Sequence, residues 1–190
     1  KDVLLEILKQ KPDLNIQDRY KTTVTMIAFE KCKDKDVLLE ILNQKPDLNI
    51  QNNYGWTSVL YALYNCKDKD ILLEMLKQKP DLNIQSCNKS SITMYAFLYC
   101  KDNDVLLEVL KQKPNLTLID KFKYTAFDYA LDYYTQSYNF DFNILEKLYC
   151  KQSKQNRQLF NFDYIKLRNK YKVMSLVLFR HHKRICLNKN

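Results

Sequence analysis

Asp70-Ile71-Leu72-Leu73-Glu74-Met75-Leu76 is one of four closely similar heptapeptides in this chain. The other three occupy residues 2–8, 36–42 and 104–110, so each copy begins 34 residues after the previous one. The same step separates four alanines: Ala28, Ala62, Ala96 and Ala130. A match over four copies and many positions indicates that one structural unit is repeated along the chain.

The second copy predicts a unit of two short helices. A first helix is expected from about Ser58 to Asn65, after a threonine whose hydroxyl can cap backbone N–H groups. A second helix is expected from about Asp70 to Lys77, because its apolar residues recur at helical spacing. We expect Pro80 to end this helix. An extended arm over residues 82–84 and a turn over residues 52–55 complete the predicted unit.

The acids that open the heptapeptides have an expected role as well. Asp36, Asp70 and Asp104 are interpreted as cap and solvation residues near helix N-termini, where a negative charge suits the helix dipole.

A single unit of this kind cannot bury its apolar face alone, whereas stacked neighbours can. The sequence therefore predicts an all-α solenoid of helix-turn-helix units with short hairpin-like turns, closed by a C-terminal helical cap. The array is expected to cover residues 1–150, with a partial first unit, three full units and a degenerate last unit whose helix spans residues 141–148. Residues 1–8 supply a second helix without its first, so we expect upstream repeats or a frayed end.

Two stretches resemble the ankyrin repeat. Residues 80–84, Pro-Asp-Leu-Asn-Ile, are similar to the family's Ala-Asp-Val-Asn-Ala, and residues 55–62 are similar to its Gly-x-Thr-Pro-Leu-His-x-Ala. The resemblance covers roughly residues 1–150 and implies a protein-binding array, of the kind found in large DNA viruses and intracellular bacteria. Tetratricopeptide repeats share the 34-residue period but lack the Asp-Leu-Asn arm, so we set them aside.

The chain departs from the family pattern at several turns. The family's Pro and His are replaced by Ser58 and Leu60, and its usual unit is one residue shorter. Cysteine stands where the family has glycine between the helices, and lysine stands where it has glycine after the second helix: Lys11, Lys45, Lys79 and Lys113. Turn geometry and stability are therefore in question more than the fold.

Positions that vary between copies while the core repeats predict the partner-binding surface. In ankyrin-like proteins the partner usually contacts the turn tips and the exposed face of the first helix. By register these positions are Arg19, Tyr20, Thr22, Asn53, Tyr54, Trp56, Tyr64, Asn65, Asn88, Ser90, Leu98, Tyr99, Lys121, Phe122, Tyr124 and Tyr133, with Glu30, Lys31, Cys87 and Asp132 beside them. Aromatic residues, frequent in this set, dominate interface hot spots. The alternatives are sideways packing on neighbouring units and neutral drift.

The recurring cysteines Cys32, Cys66 and Cys100 do not predict a disulfide or a metal site. Packed helices lie about 8–10 Å apart, whereas a disulfide needs Cα atoms within about 7 Å. We interpret these residues as small buried caps of the first helices. Six thiols without an evident bridge favour a reducing compartment, so we expect a cytoplasmic protein, in the host cytosol if it is a viral or bacterial effector.

Neither catalysis nor a bound cofactor is predicted. Gly55 is the single glycine, so phosphate-cradling loops cannot be built. The two histidines, His181 and His182, lie near Cys186, but we interpret them as polar residues of a basic tail and expect no metal. We therefore expect a non-enzymatic monomer that binds another protein.

The net positive charge of the chain comes from its C-terminal segment, residues 151–190. Of the 31 Lys and Arg residues 11 lie in residues 151–190, together with one of the 22 acids, Asp163. We interpret this segment as a helical cap of the array. The alternatives are a docking element for a second partner, and binding of nucleic acid or an acidic membrane.

Overall fold

The computed structural model describes residues 1–130, and these are all-α, without a β-strand. A further helix begins at Ala126. The seven helices before it are α1 (Asp2–Lys9), α2 (Val24–Lys31), α3 (Lys35–Asn43), α4 (Ser58–Asn65), α5 (Lys69–Lys77), α6 (Ile92–Tyr99) and α7 (Asn103–Lys111). None of these has both the length and the apolar character to cross a membrane. The expected helix over residues 141–148 and the segment 151–190 lie outside the described residues.

The predicted start of the first helix of each unit is confirmed. Thr57 is the N-cap of α4, and its hydroxyl accepts a hydrogen bond from the backbone N–H of Leu60 at 3.3 Å. Thr23 and Ser91 cap α2 and α6 in the same way. These hydroxyls satisfy N–H groups that have no partner within the helix, which explains why Thr or Ser recurs at this position.

The predicted caps of the second helices are wrong by two residues. Asp68 is the N-cap of α5, where its carboxylate accepts hydrogen bonds from the N–H groups of Asp70 and Ile71 at 2.9 and 3.3 Å. The helix consequently begins at Lys69. The acids of the heptapeptides lie inside the first turn, and the caps are Asp34, Asp68 and Asp102.

Helix α5 ends at the predicted residue, but Pro80 is not the cause. Helix α5 stops at Lys77, three residues before Pro80, and Gln78 is its C-cap. Lys79 then takes a left-handed backbone conformation with φ of 54°, and its N–H donates to the carbonyl of Leu76 at 3.0 Å. This reversal, and not the proline, ends the helix. The equivalent lysines are also left-handed: Lys11, Lys45 and Lys113.

The extended arm predicted over residues 82–84 is a turn instead. Leu82 and Asn83 form the turn, and the carboxylate of Asp81 accepts a hydrogen bond from the N–H of Asn83 at 2.9 Å. Aspartate favours such local bonds over extended backbone, which explains the difference.

First helices pack mainly against the first helices of neighbouring units, and second helices pack mainly against second helices. Helix α4 contacts α2 and α6, and α5 contacts α3 and α7. Ala62 in α4 is fully buried, and the large core side chains Phe29 and Phe97 lie on the two helices beside it. Small residues in the first helices therefore let neighbouring helices approach closely.

Polar side chains join each unit to the next. The amide of Gln78 donates to the carbonyl of Leu42, near the C-terminal end of α3, at 2.8 Å. This supplies a donor to a carbonyl in the last turn of a helix, where intrahelical partners run out. The same bond joins Gln44 to Leu8 and Gln112 to Leu76. Asparagine side chains form a second series, in which Asn15, Asn49 and Asn83 accept from the backbone N–H of Asp47, Asp81 and Asn115.

Candidate partner-binding surface

Four turns, here called the tips, precede the first helices at residues 18–22, 52–56, 86–90 and 120–124. Each tip is hydrogen-bonded to the next through the backbone. The N–H of Asn53 donates to Tyr20 at 3.0 Å, and the N–H of Cys87 donates to Tyr54 at 3.1 Å. Another such bond runs from Lys121 to Asn88. The tips therefore form one continuous edge.

A polar side chain holds each tip from within. The buried amide oxygen of Asn52 accepts hydrogen bonds from the N–H groups of Tyr54 and Trp56 at 3.0 and 2.9 Å. Asp18 and Asp120 accept two such bonds in their own tips. With the backbone fixed in this way, the tip side chains are presented at low entropic cost.

Most of the predicted partner-binding residues are exposed. Tyr54 and Phe122 are 65% and 72% exposed at the tips, and Tyr64 is 52% exposed on α4. The other exposed members are Arg19, Tyr20, Asn53, Asn88, Leu98, Tyr99, Lys121 and Tyr124. Thr22, Trp56 and Asn65 are half-buried. Large apolar side chains on a surface of this kind are available to a partner.

One predicted residue is wrong, and another cannot be placed. Ser90 is buried, at 8% exposure, and its carbonyl accepts a hydrogen bond from the N–H of Ser86 within the same tip. It supports the tip and has no surface to offer. Tyr133, like its neighbour Asp132, lies outside the described residues.

Five aromatic rings form a cluster that spans two units. Trp56 lies at its centre, with ring centroids 5.1 Å from Tyr61, 5.9 Å from Tyr64 and 5.7 Å from Tyr95. Tyr99 completes the cluster, edge-on to Tyr64 and stacked on Tyr95. Such contacts add stabilisation beyond area burial, so the ring of Trp56 is held in place as well as partly exposed.

Sequence reasoning missed Tyr61 and Tyr95. The hydroxyl of Tyr61 accepts a hydrogen bond from the amide of Asn52 at 3.1 Å, and that of Tyr95 lies 3.3 Å from the hydroxyl of Ser86. Each of these tyrosines thus fastens a first helix to its own tip. A signal was present in the sequence, because Tyr61, Tyr95 and Tyr129 recur at the 34-residue step.

Helix α2 adds apolar surface that the register did not predict. Val24 and Ile27 are both about half exposed on this helix. They extend the exposed apolar area beyond the tips.

A groove of about 490 Å³ lies between the tips and the first helices. It is lined by Glu30, Tyr54, Trp56, Tyr61, Tyr64, Asn65, Ser86, Cys87 and Asn88. Burial raises the pKa of Tyr61 above its ordinary value, and the charge of Glu30 raises it further. Burial also raises the pKa of Tyr99. These phenols are therefore neutral near pH 7 and serve as contact surface.

The recurring cysteines are C-caps of the first helices, as predicted. Cys100 is buried, whereas Cys32 and Cys66 are half-buried, so the predicted burial holds fully for one of the three. Burial raises the pKa of the Cys66 and Cys100 thiols, which keeps both protonated and weakly nucleophilic near neutral pH. Within residues 1–130 no three His, Cys, Asp or Glu side chains come together as a metal site would require. His181, His182 and Cys186 lie beyond that range.

No protein-family model matches the chain, and no curated protein matches it in sequence.

Proposed function

We propose that the chain is an ankyrin-type repeat solenoid that binds another protein through its tips and the exposed faces of its first helices. The fold part of this proposal is supported by the sequence and the structure repeating at the same interval of residues. The sequence repeats every 34 residues, and the helix pairs, their caps and the hydrogen bonds between units repeat at the same step.

The binding part rests above all on one observation, the concentration of exposed aromatic residues on the tip edge. Tyr20, Tyr54, Phe122 and Tyr124 are each about half exposed or more. Aromatic side chains are enriched at protein interfaces and carry much of their binding energy. Rings already held by hydrogen-bonded tips lose little conformational freedom when a partner covers them.

Binding is favoured over catalysis by the chemistry of the groove. Its titratable groups are the carboxyl of Glu30, three tyrosines, of which burial raises the pKa of Tyr61, and the exposed thiol of Cys87. Acyl or proton transfer needs a base within hydrogen-bonding reach of a nucleophile. The thiol of Cys87 instead donates to the carbonyl of Asn53 at 3.6 Å, which is a contact between tips.

The test is capture of a partner from the cell of origin by two matched double variants of the full chain. Tyr54→Ala with Tyr64→Ala removes two exposed rings and keeps Trp56, whose ring still packs against Tyr61 and Tyr95. Val3→Ala with Ile7→Ala removes two apolar side chains of similar exposure from α1, away from the tips. We expect the control pair to capture the same protein as the parent chain and the tyrosine pair to lose it. Equal capture by both pairs, with unchanged circular dichroism, would rule out the proposed surface.

A second candidate function uses the basic segment, residues 151–190, to dock on nucleic acid or an acidic membrane. Its support is the charge, since 11 basic residues accompany a single acid there. Binding of this kind weakens steeply as salt rises. Binding that ignores salt, or that survives deletion of residues 151–190, would exclude this candidate and leave the tip surface.

A further inference from the structure

We infer that the groove beside Trp56 holds a positively charged side chain of the bound protein, and that an arginine fits it best. The inference rests on the proposed binding function and adds the chemistry of the partner at one point. It comes from the meeting of differently inclined aromatic rings with a single acid in one groove.

The rings of the groove do not form a flat apolar wall. Tyr61 is inclined by 59° to Trp56, and Tyr64 is nearly perpendicular to Trp56, at 77°. All three line the same groove. The face of an aromatic ring carries partial negative charge, so a groove lined by several rings offers attractive surface to a cation.

The charge of the groove points the same way. Among its lining residues Glu30 is the single acid, and none is Lys or Arg. The carboxylate of Glu30 lies 3.1 Å from the ammonium of Lys31, whose side chain is 71% exposed. An exposed pair of this kind contributes little, so an incoming cation can compete with Lys31 for the carboxylate.

Arginine suits this space better than lysine does. Its guanidinium is planar, weakly hydrated and stacks on aromatic faces, whereas an ammonium is compact and strongly hydrated. Arginine also carries several donors in a fixed plane, and the side-chain oxygen of Asn65, among the lining residues, is an acceptor. An acidic side chain would meet both Glu30 and the negative ring faces, so the groove also selects against acidic segments.

The chain offers its own reporter, because Trp56 is its single tryptophan. The probe is the acetylated peptide amide Gly-Ser-Arg-Ser-Gly, titrated into the full chain while the emission of Trp56 is followed. The matched probe carries citrulline, the neutral isostere of arginine. We expect a saturable change with the arginine peptide and binding about fivefold weaker with citrulline. Equal responses, or no saturable response up to about 10 mM, would overturn the inference.

Variants locate the effect within the groove. Glu30→Gln is expected to weaken the arginine peptide about threefold, while Glu108→Gln, which removes a charge from α7, should leave it unchanged. Tyr64→Phe keeps a ring and should keep binding, whereas Tyr64→Leu should weaken it. Unchanged affinity in Glu30→Gln would contradict the assignment.

Failure of this inference can be told apart from failure of the proposed function. If the tyrosine pair loses the captured protein while the citrulline peptide binds as well as the arginine peptide, the proposed surface is retained and the cation site is ruled out. If the tyrosine pair still captures the protein, the proposed surface and the cation site are both ruled out.

Discussion

At the scale of single residues, the left-handed lysines after the second helices are the least expected feature. Glycine adopts this conformation without steric strain. In any other residue the Cβ comes too close to the backbone, which raises the free energy of the folded state. Lysine nevertheless stands at all four positions, with φ between 51° and 56°. The unit was predictable from sequence, but this cost was not, because the missing glycines could equally have meant a different turn.

Lys79→Gly is therefore expected to stabilise the chain by about 0.5 kcal/mol, since relief of the left-handed strain outweighs the extra freedom of glycine in the unfolded state. Urea unfolding followed by circular dichroism measures the change.

Gly55→Ala is the converse change and should destabilise by about 2 kcal/mol. Gly55 has φ of 72°, and an added Cβ would lie 2.9 Å from the backbone nitrogen of Cys87. A destabilised Lys79→Gly, or a neutral Gly55→Ala, would show that the turn conformations differ from those described.

Capping offers a second test at this scale. Asp68→Ala removes the acceptor for two N–H groups of α5 and should cost about 1 kcal/mol, whereas Asp68→Asn should retain most of the cap. Asp70→Ala leaves both bonds in place and should cost less than Asp68→Ala in the same denaturant titration. The opposite order would restore the cap position predicted from sequence.

At the scale of helices, the elements themselves were predictable and their ends less so. The bounds of α4 agree with the prediction because a threonine cap and a helical apolar pattern mark both its existence and its start. The start of α5 was predicted one residue too late because Asp68 and Asp70 are both acids near a helix N-terminus. Only the geometry shows which carboxylate accepts hydrogen bonds from the free N–H groups. For the arm at residues 82–84, alternating apolar residues suggested extended backbone, but the hydrogen bond within the turn prevailed.

Ion pairs between successive second helices give a prediction for pH. Lys35 pairs with Asp70 at 2.5 Å, and Lys69 pairs with Asp104. The hydrogen bond from Lys69 holds the pKa of Asp104 below its ordinary value. This contribution to stability is present above about pH 4, the ordinary aspartate range, and is lost as pH falls through the lowered pKa.

Between pH 5 and pH 3 the parent chain should therefore lose about 1 °C more in Tm than Asp104→Asn does at low salt. Differential scanning calorimetry provides the measurement. Since salt screens exposed charges, the difference should shrink at high ionic strength. If the parent chain and Asp104→Asn lose the same Tm between pH 5 and pH 3 at both low and high salt, the pair contributes nothing to stability.

At the scale of the whole molecule, the units depend on one another. The helix pairs bury their apolar faces mainly against neighbours, so damage at one interface should spread through the array. The proposed binding surface has the same origin, because the groove and the aromatic cluster draw residues from more than one unit. The sequence indicated which positions lie on the tip edge, but the sideways packing that half-buries Trp56 depends on distances between units.

Ala62→Arg is expected to unfold the array, because Ala62 is fully buried on the helix between α2 and α6. Overpacking together with a buried charge should cost about 4 kcal/mol or more. Far-UV circular dichroism at 25 °C should show loss of helix, whereas Tyr64→Arg, on the exposed side of the same helix, should remain folded. A folded Ala62→Arg chain would mean that the first helices are not closely packed.

The central claim is that a partner protein covers the tip edge, and hydroxyl-radical footprinting of the complex tests it most directly. The account predicts reduced oxidation of Tyr54, Trp56 and Tyr64 in the complex, with no change at Val3 and Ile7, which are exposed on α1. Protection of Val3 and Ile7 together with unchanged oxidation of the three aromatic residues would contradict it.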